Sequence, residues 1–270
     1  MPCIYAHDSF GKKVASKLPY HLQKLVSRYS KEFQIGLQGP DFLFFYQPYR
    51  KTKVNQLGYW QHKQTMNSFL SSLLPYLQKK KDDAVFAYLL GFICHFVLDS
   101  ECHSLVIPLS EHPGYNHLAI ENEFDRHLIA NDGYKAPTFP VWKTISVSSS
   151  VINTIYRAYR PFHLSKKHIR KSLRSMRFIK HLLTCGCSPK RLMIRILMGA
   201  TGHYRELEGH MMSLRPKKYA CKTNKELKKR YDNAIPSAVK LIENFHQSVH
   251  QNTPLSKRFS TTFRENTILS

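Results

Sequence analysis

The chain has 270 residues, 42% of them hydrophobic, and a formal net charge of +23 at pH 7. This length is enough for one large domain or two small ones with a substantial core. The first residues lack a basic segment followed by an apolar run, and the longest apolar run, 84–98, is too short to cross a bilayer, so neither a secretory signal nor a membrane span is expected. Six sparse, irregularly spaced cysteines fit free thiols in a reducing compartment, and the sequence indicates a cytoplasmic protein.

The first half of the chain predicts helices separated by loops that contain glycine and proline. An amphipathic helix is predicted over 12–30, because its apolar residues recur with helical spacing. A loop follows at 35–41, where two glycines and a proline are costly inside a helix, and Asp41 comes directly after the proline. A second helix is predicted over 62–79, with His62 near its start.

The most apolar helix is predicted over 83–105, and it carries ionisable side chains spaced by four. His95, Asp99 and His103 form one stripe along it, because residues i and i+4 lie on the same helix face. Such an apolar helix belongs in the middle of a bundle, where burying these groups without partners is costly. A metal ion would supply the partner, and imidazole and carboxylate are ligands that Zn²⁺ accepts.

A helix predicted over 114–130 repeats this spacing with His117 and Glu121. One such pair among 15 histidines is more often structural, but two runs on neighbouring helices favour a metal site. Because water held by such a metal becomes a nucleophile near neutral pH, the pattern predicts a metal-dependent hydrolase. Asp125 lies four residues after Glu121, and it either orients a metal ligand from outside the ligand set or is a charge on the helix surface.

The second half is strongly basic and is also predicted to be helical. A proline-rich stretch at 134–141 separates the halves, and the predicted helices that follow are 142–159, 165–184, 188–212 and 224–249. Residues 151–270 hold 25 Lys and Arg against 6 Asp and Glu, whereas the first 150 residues carry only +4. Such a surface suits an anionic membrane, a phosphorylated substrate or nucleic acid, or it is simply solvated.

The order of the ionisable residues resembles the zinc-dependent phospholipase C family, helical bacterial enzymes that hydrolyse phosphatidylcholine-type lipids. The matching pieces lie within about residues 1–130 and are His7, Gly39-Pro-Asp41, His62, His95-x3-Asp99-x3-His103 and His117-x3-Glu121. The combination is specific, although no single piece would be. Together with the helical periodicity, it predicts an all-α, multi-helix bundle with a zinc cluster between core helices.

The resemblance implies a trinuclear zinc cluster with shared ligands. The first zinc is held by Asp41, His62, His95 and Asp99. The second zinc is held by His103, His117 and Glu121. Asp99 also bridges to a third zinc, which His7 shares with the chain's N-terminal residue. Asp41 is in addition the catalytic residue that the resemblance suggests for activating the attacking water.

The N-terminus departs from the family's pattern. Its secreted members place a processed tryptophan there, whereas this sequence begins Met1-Pro2-Cys3. The third zinc is therefore expected to be absent or weak, or to use Pro2 after removal of Met1, or to use Cys3. Two or three zinc ions per chain are expected.

These expectations divide the chain into a catalytic region at 1–133, a basic helical region packed on it at 134–250, and a disordered tail at 251–270. The expected activity is that of a phospholipase C that cleaves phospholipid headgroups through a metal-bound hydroxide, with an anionic membrane surface as a partner of the basic half. Two alternatives stay open. One is a zinc-dependent single-strand nuclease, because the fungal single-strand nucleases are similar in fold and cluster, although nucleic acid is the less favoured partner. The other is a non-catalytic, zinc-stabilised binding protein.

Overall fold

The structure is a computed structural model, and it describes residues 4–200, 202, 204 and 208–264. The predicted all-α class is confirmed, because these residues form α-helices and short 3₁₀ helices, with one isolated bridge between Thr65 and Thr262. The helices are α1 (Ile4–Ala15), α2 (Tyr20–Arg28), α3 (Ser30–Gly36), α4 (Lys53–Gln61), α5 (Met66–Lys80), α6 (Asp83–Ser110), α7 (His117–Asn131), α8 (Ser149–Ala158), α9 (Lys166–Leu183), α10 (Pro189–Ala200) and α11 (Ala220–Gln251).

Helix α6 is the centre of the bundle. It packs against α1, α3, α7, α8 and α11, and nearly all its side chains from Val85 to Val106 are buried. Its N-terminus is capped by Asp82, whose side chain accepts a hydrogen bond from the Val85 backbone N–H. Among the described helices, α6 is long and apolar enough to cross a membrane, but 89% of its most apolar window is buried inside the protein. Its composition is therefore that of a core helix surrounded by other helices.

Two glycines let α3 and α6 approach each other closely. A Cβ atom on Gly36 would collide with the backbone carbonyl of Tyr88, and one on Gly91 would collide with the carbonyl of Phe33. The two backbones are thus in direct contact, which fixes the position of the loop that follows α3 relative to α6.

The N-terminal part of the chain differs from the predicted helix over 12–30. Helix α1 begins at Ile4 and ends at Ala15, and α2 starts only at Tyr20. The break falls before Pro19, because a residue that precedes proline is disfavoured in the helical conformation. The first turn of α1 is held by buried Asp125 of α7, whose carboxylate accepts hydrogen bonds from the backbone N–H groups of the two residues after Ile4, at 3.1 and 2.8 Å.

The boundaries of the central helices also shift. The helix predicted over 62–79 begins at Met66, because the Thr65 side chain caps it by accepting from the Ser68 N–H. His62 directly follows α4, a helix that the sequence did not predict. This helix begins with a capping box, in which the side chains of Thr52 and Asn55 each accept a hydrogen bond from the other residue's backbone N–H. The most apolar helix continues to Ser110 rather than ending near 105.

The basic second half packs onto the same core as the first. Helix α11 contacts α1, α5, α6 and α7, and one hydrophobic cluster contains buried residues from both halves. The helix predicted over 188–212 ends as α10 at Ala200, and residues 201, 203 and 205–207 lie outside the described part of the chain. The proposed boundary at 133/134 stays a prediction.

The segment after α11 is the clearest departure from expectation. We call residues 252–264 the C-terminal strap; it contains the 3₁₀ helix Lys257–Ser260. Phe259 and Phe263 are buried against α6, and the Met66 N–H donates to the Thr261 carbonyl at 3.2 Å. The expectation of a disordered tail is therefore wrong for residues 251–264, because two aromatic side chains fill the core there. Residues 265–270 lie outside the described residues.

The close contact between α3 and α6 predicts a marked cost for any side chain at Gly91. Gly91→Ala should lower the free energy of unfolding by about 2 kcal/mol, since the added methyl group overpacks two backbones. Gly199→Ala in α10 is the control, because a Cβ atom there meets no atom within 4 Å. It should raise the stability by about 0.5 kcal/mol through its helix propensity. Urea denaturation measures the free energy of unfolding of both variants. A Gly91→Ala variant as stable as the Gly199→Ala variant would contradict the close contact between α3 and α6.

Candidate metal centre

The eight predicted ligands come together on one side of α6. Three lie on α6 itself, two on α7, one on α1, one at the start of the 3₁₀ helix Asp41–Phe45 and one after α4. They are His7, Asp41, His62, His95, Asp99, His103, His117 and Glu121. Six of them are buried, whereas the side chains of His62 and His117 remain 12% and 28% exposed. The centre is therefore closed on the α1 side and open beside these two histidines.

Asp99 is the residue that the histidines surround. One of its carboxylate oxygens, Oδ1, lies 3.2 Å from His7 Nε2, and the other, Oδ2, lies 3.2 Å from His95 Nε2. His62 Nε2 and His103 Nδ1 approach Oδ2 at 4.0 and 3.9 Å. A single carboxylate thus faces four imidazoles from three parts of the chain, which fits the bridging role that the resemblance implies for Asp99.

The ligand atoms fall into three groups whose members lie within 4.8 Å of one another. The first group is Asp41, His62 and His95; the second is His103, His117 and Glu121; the third is His7, His95 and Asp99. The first two match the sets that the resemblance implies, with Asp99 beside the first. In the third, His7 meets His95 as well as Asp99, and their rings stack with centroids 4.4 Å apart. The expected N-terminal ligands, Pro2 and Cys3, lie outside the described residues.

The Gly39-Pro-Asp41 motif has a steric reason at this site. Gly39 has a φ of +50°, and a Cβ atom there would collide with the imidazole ring of His95. The glycine therefore lets the loop after α3 pass directly over that ring. This places Asp41 with Oδ1 3.1 Å from His62 Nε2.

Backbone carbonyls orient three of the histidines. The Nδ1 atoms of His62, His95 and His103 lie 2.8, 3.2 and 2.8 Å from the carbonyl oxygens of Gly58, Leu37 and Phe263. A carbonyl can only accept a hydrogen bond, so each Nδ1 carries the hydrogen and each neutral ring presents the lone pair of Nε2. Metal-binding histidines are held by such contacts.

These lone pairs point at other acceptors. His62 Nε2 and His95 Nε2 are buried and make no hydrogen bond, yet each lies 3.1–3.2 Å from a carboxylate oxygen. His103 Nε2 and His117 Nε2 both face Glu121 Oε1, at 3.2 and 3.0 Å. The lone pair of a neutral ring and that of a carboxylate repel each other at this distance, so a proton or a metal ion must lie between the two atoms. The donor set and its geometry therefore fit zinc.

The electrostatics of the site favour ionised carboxylates. Burial alone would raise the pKa of Asp99, but the charge of His95, together with His103 and a hydrogen bond from His7, holds that pKa well below its usual value. Burial likewise opposes the ionised form of Asp41, yet the charges around it, those of His62 and His95 included, bring its pKa to about 2. Both groups are therefore anionic at neutral pH and available to a metal ion.

The C-terminal strap supplies parts of the site that the sequence did not indicate. The Phe263 carbonyl orients His103, and the Phe263 ring lies 5.2 and 5.9 Å from the rings of His62 and His95. Arg258 anchors the strap by donating to Ser100 Oγ at 2.7 Å and to Glu101 Oε1 at 3.3 Å on α6. The only sequence signal is the four-residue spacing of Phe259 and Phe263 within a polar segment.

A cleft of about 420 Å³ opens onto the exposed edge of the centre. His62, His103 and His117 line its floor. The other lining residues are mostly apolar or cationic, with one carboxylate: Phe44, Tyr59, Ile107, Leu118, Lys63, Arg264, Ser110 and Glu111. Among the described residues, this cleft gives the metal centre an opening to solvent beside an apolar surface, two positive charges and one negative charge.

Residues 6–182 match the protein family described as zinc dependent phospholipase C. The chain belongs to the zinc-dependent phospholipase C family. All eight predicted ligands of this phospholipase C-family protein lie within the matched residues, whereas the strap lies beyond them. Neither a curated protein nor a solved structure matches the chain.

The position of Asp99 predicts that its loss removes zinc. Asp99→Asn should reduce the zinc bound per chain by at least one equivalent, because its carboxylate meets histidines of all three groups. It should also reduce any hydrolytic activity more than a change of any single histidine. Asp83→Asn, an exposed position on the same helix, should leave the zinc content unchanged. Metal analysis by mass spectrometry of protein purified without chelator measures this, and equal zinc content in both variants would refute it.

The contact between the C-terminal strap and His103 predicts that the strap affects the affinity of the protein for zinc. Phe263→Ala should lower the free energy of unfolding by about 3 kcal/mol, because it empties a buried aromatic site. It should also weaken zinc binding by about tenfold or more, since the carbonyl that orients His103 loses its anchor. Lys257→Ala, an exposed strap position, is the control. Competition with a fluorescent chelator measures the affinity, and an unchanged zinc affinity would count against this role of the strap.

Proposed function

We propose that the protein is a zinc-dependent phospholipase C that hydrolyses the phosphodiester of a phospholipid headgroup. Water attacks phosphorus, the bond between phosphorus and the glycerol oxygen breaks, and that oxygen takes up a proton. The products are diacylglycerol and a phosphorylated alcohol. Membership of the family supports this reaction at a coarse level, and the observation that carries the finer proposal is the cleft lined by three of the eight predicted ligands, His62, His103 and His117.

The cleft walls suit a lipid phosphodiester. Phe44, Ile107 and Leu118 offer an apolar surface to the glycerol and the first carbons of the acyl chains. Lys63 and Arg264 lie at the same cleft and attract the negative charge of the phosphate. The apolar wall is the feature that favours a lipid over a more polar diester.

The chain's own residues hold the reacting groups. Zinc, when bound by these ligands, supplies Lewis acidity toward a phosphoryl oxygen and lowers the pKa of a water ligand. Asp41 is ionised at neutral pH and lies beside His62, which lines the cleft, and this supports a role for its carboxylate in accepting a proton from the attacking water. His62 and His117, the two partly exposed histidines, border the place where the substrate enters.

The test is an assay of purified, zinc-loaded protein on lipids that differ only in headgroup. Choline, ethanolamine, glycerol and inositol lipids should be compared, with release of the phosphorylated alcohol and of diacylglycerol as paired readouts. Asp41→Asn should lower the rate by about 10²-fold or more, since a positioned base contributes on that order. Asp232→Asn, on exposed α11 surface, is the matched control.

Two outcomes would contradict the proposal. Cleavage of single-stranded DNA or RNA without release from any lipid would assign the site to a nuclease. Absence of product from every diester, with normal zinc content and a melting temperature that falls on chelation, would make the centre a structural one. The cytoplasmic location expected from the sequence stays a prediction.

A further inference from the structure

Helix α10 exposes an unusual number of large apolar side chains. Leu192, Met193, Ile196 and Leu197 are each more than half exposed, within a helix of 12 residues. The helix rests on the protein through a narrow base, in which Ile194 and Met198 pack with Cys185 and Met211. The helix thus carries apolar residues on two faces, and within the described part of the chain only one of these faces is covered. The exposed face is therefore expected to contact another apolar surface.

The helix is nevertheless firmly attached. Lys190 Nζ donates to the carbonyls of His181 and Thr184, both at 3.2 Å. Arg191 donates to the carbonyls of Cys185 and Met212, at 3.2 and 2.9 Å. These hydrogen bonds fix the first turn of α10 on the end of α9, so the exposed apolar face belongs to an anchored element.

The segment of sequence that leads into α10 and forms it carries positive charge alone. Residues 133–205 include no Asp or Glu but 15 Lys and Arg. Five of these cations are exposed on α9, immediately before α10 in the chain: Lys166, Lys167, Arg170, Lys171 and Arg174. Arg195 is exposed on α10 itself, between the two pairs of apolar residues. A protein partner would be expected to meet mixed charges, whereas this excess of exposed cations on α9 and α10 complements an anionic lipid surface.

We propose that α10 is an interfacial helix that docks the protein on an anionic phospholipid bilayer. Its apolar side chains enter the boundary between headgroups and acyl chains, while the neighbouring cations contact lipid phosphates. Short helices with apolar residues on one side and Lys or Arg beside them bind membranes in this way. The proposal rests on the proposed phospholipase activity for its biological purpose, but its physical basis is independent of that activity.

The docking helix lies close to the catalytic cleft. Met211 belongs to the base of α10, and Gly209 lies two residues before it in the chain. A Cβ atom on Gly209 would collide with Asn116 and Leu118 at the start of α7, so the backbone here is in close contact with α7. The Asn122 side chain also donates to the Gly209 carbonyl. Leu118 lines the cleft next to His117. Docking through α10 would therefore hold the mouth of the cleft near the layer that contains the substrate.

The test compares vesicle binding by matched variants. Leu192→Gln combined with Ile196→Gln removes two exposed apolar side chains one turn apart without changing charge. Tyr20→Gln combined with Tyr134→Gln is the control, since these side chains are 71% and 55% exposed elsewhere. Cosedimentation is measured with vesicles of phosphatidylcholine alone and of phosphatidylcholine containing 30% phosphatidylglycerol, a composition on the order of strongly anionic natural membranes.

The wild-type protein should bind the anionic vesicles about tenfold more tightly than the neutral ones, and salt should weaken this binding. The α10 variant should lose about tenfold in affinity, whereas the tyrosine variant should bind like the wild type. Equal binding by the wild type and the α10 variant would overturn the proposal, as would a failure of the wild type to bind. A wild-type dimer in light scattering that becomes a monomer in the α10 variant would assign the face to a second copy of the chain.

Hydrolysis separates this inference from the proposed function. With a short-chain lipid below its aggregation concentration, the α10 variant should react as fast as the wild type, while its rate on anionic vesicles should fall. Vesicle binding that depends on α10 without any hydrolysis would refute the phospholipase activity but keep the docking helix. Hydrolysis of the monomeric lipid without α10-dependent vesicle binding would refute the docking helix but support the phospholipase activity.

Discussion

The burial of an ionised carboxylate in the most apolar helix is the constraint on which the rest of the site depends. Asp99 has almost no contact with solvent, and the charge that it carries would be very unfavourable there without compensation. Four histidines supply that compensation, two from α6 itself, one from α1 and one that follows α4, and a cation shared among them completes it. The arrangement of α1, α4, α6 and the loop after α3 follows from the need to bring these groups to one carboxylate.

The orientation of the rings is set by the backbone rather than by other side chains. Three carbonyls fix the hydrogen on Nδ1, so the Nε2 lone pairs converge before any metal arrives. A centre built in this way is preorganised, because little rotamer freedom remains to be lost when the ion binds. Each short distance between an Nε2 atom and a carboxylate oxygen also needs a cation between the two atoms, either a proton or a metal ion. The same atoms therefore exchange a proton for a metal ion when the ion binds.

Local spacing predicted the part of the site that lies on single helices. His95, Asp99 and His103 on α6, and His117 and Glu121 on α7, follow from the four-residue repeat. His7, Asp41 and His62 could be named only through the family resemblance, because their approach depends on the packing of distant elements. The break at Pro19 and the order of the strap were missed for different reasons. The proline at position 19 is a local signal, but the apolar periodicity across it predicted one continuous helix. The order of the strap depends on the packing of Phe259 and Phe263 against α6, and no local sequence pattern reveals such a distant contact.

The position of the strap has a consequence for the order of events during synthesis. The ligands on α1, α6 and α7 leave the ribosome well before residue 263, and domains generally fold as their residues emerge. Until Phe263 has been added, His103 lacks the carbonyl that selects its tautomer, and the rings of His62 and His95 lack their aromatic cover. The nascent bundle can therefore acquire its helices without a finished metal centre. The site is completed only once Phe263 has been added, so a chain that stops before this residue would carry all eight predicted ligands and still lack the carbonyl that orients His103.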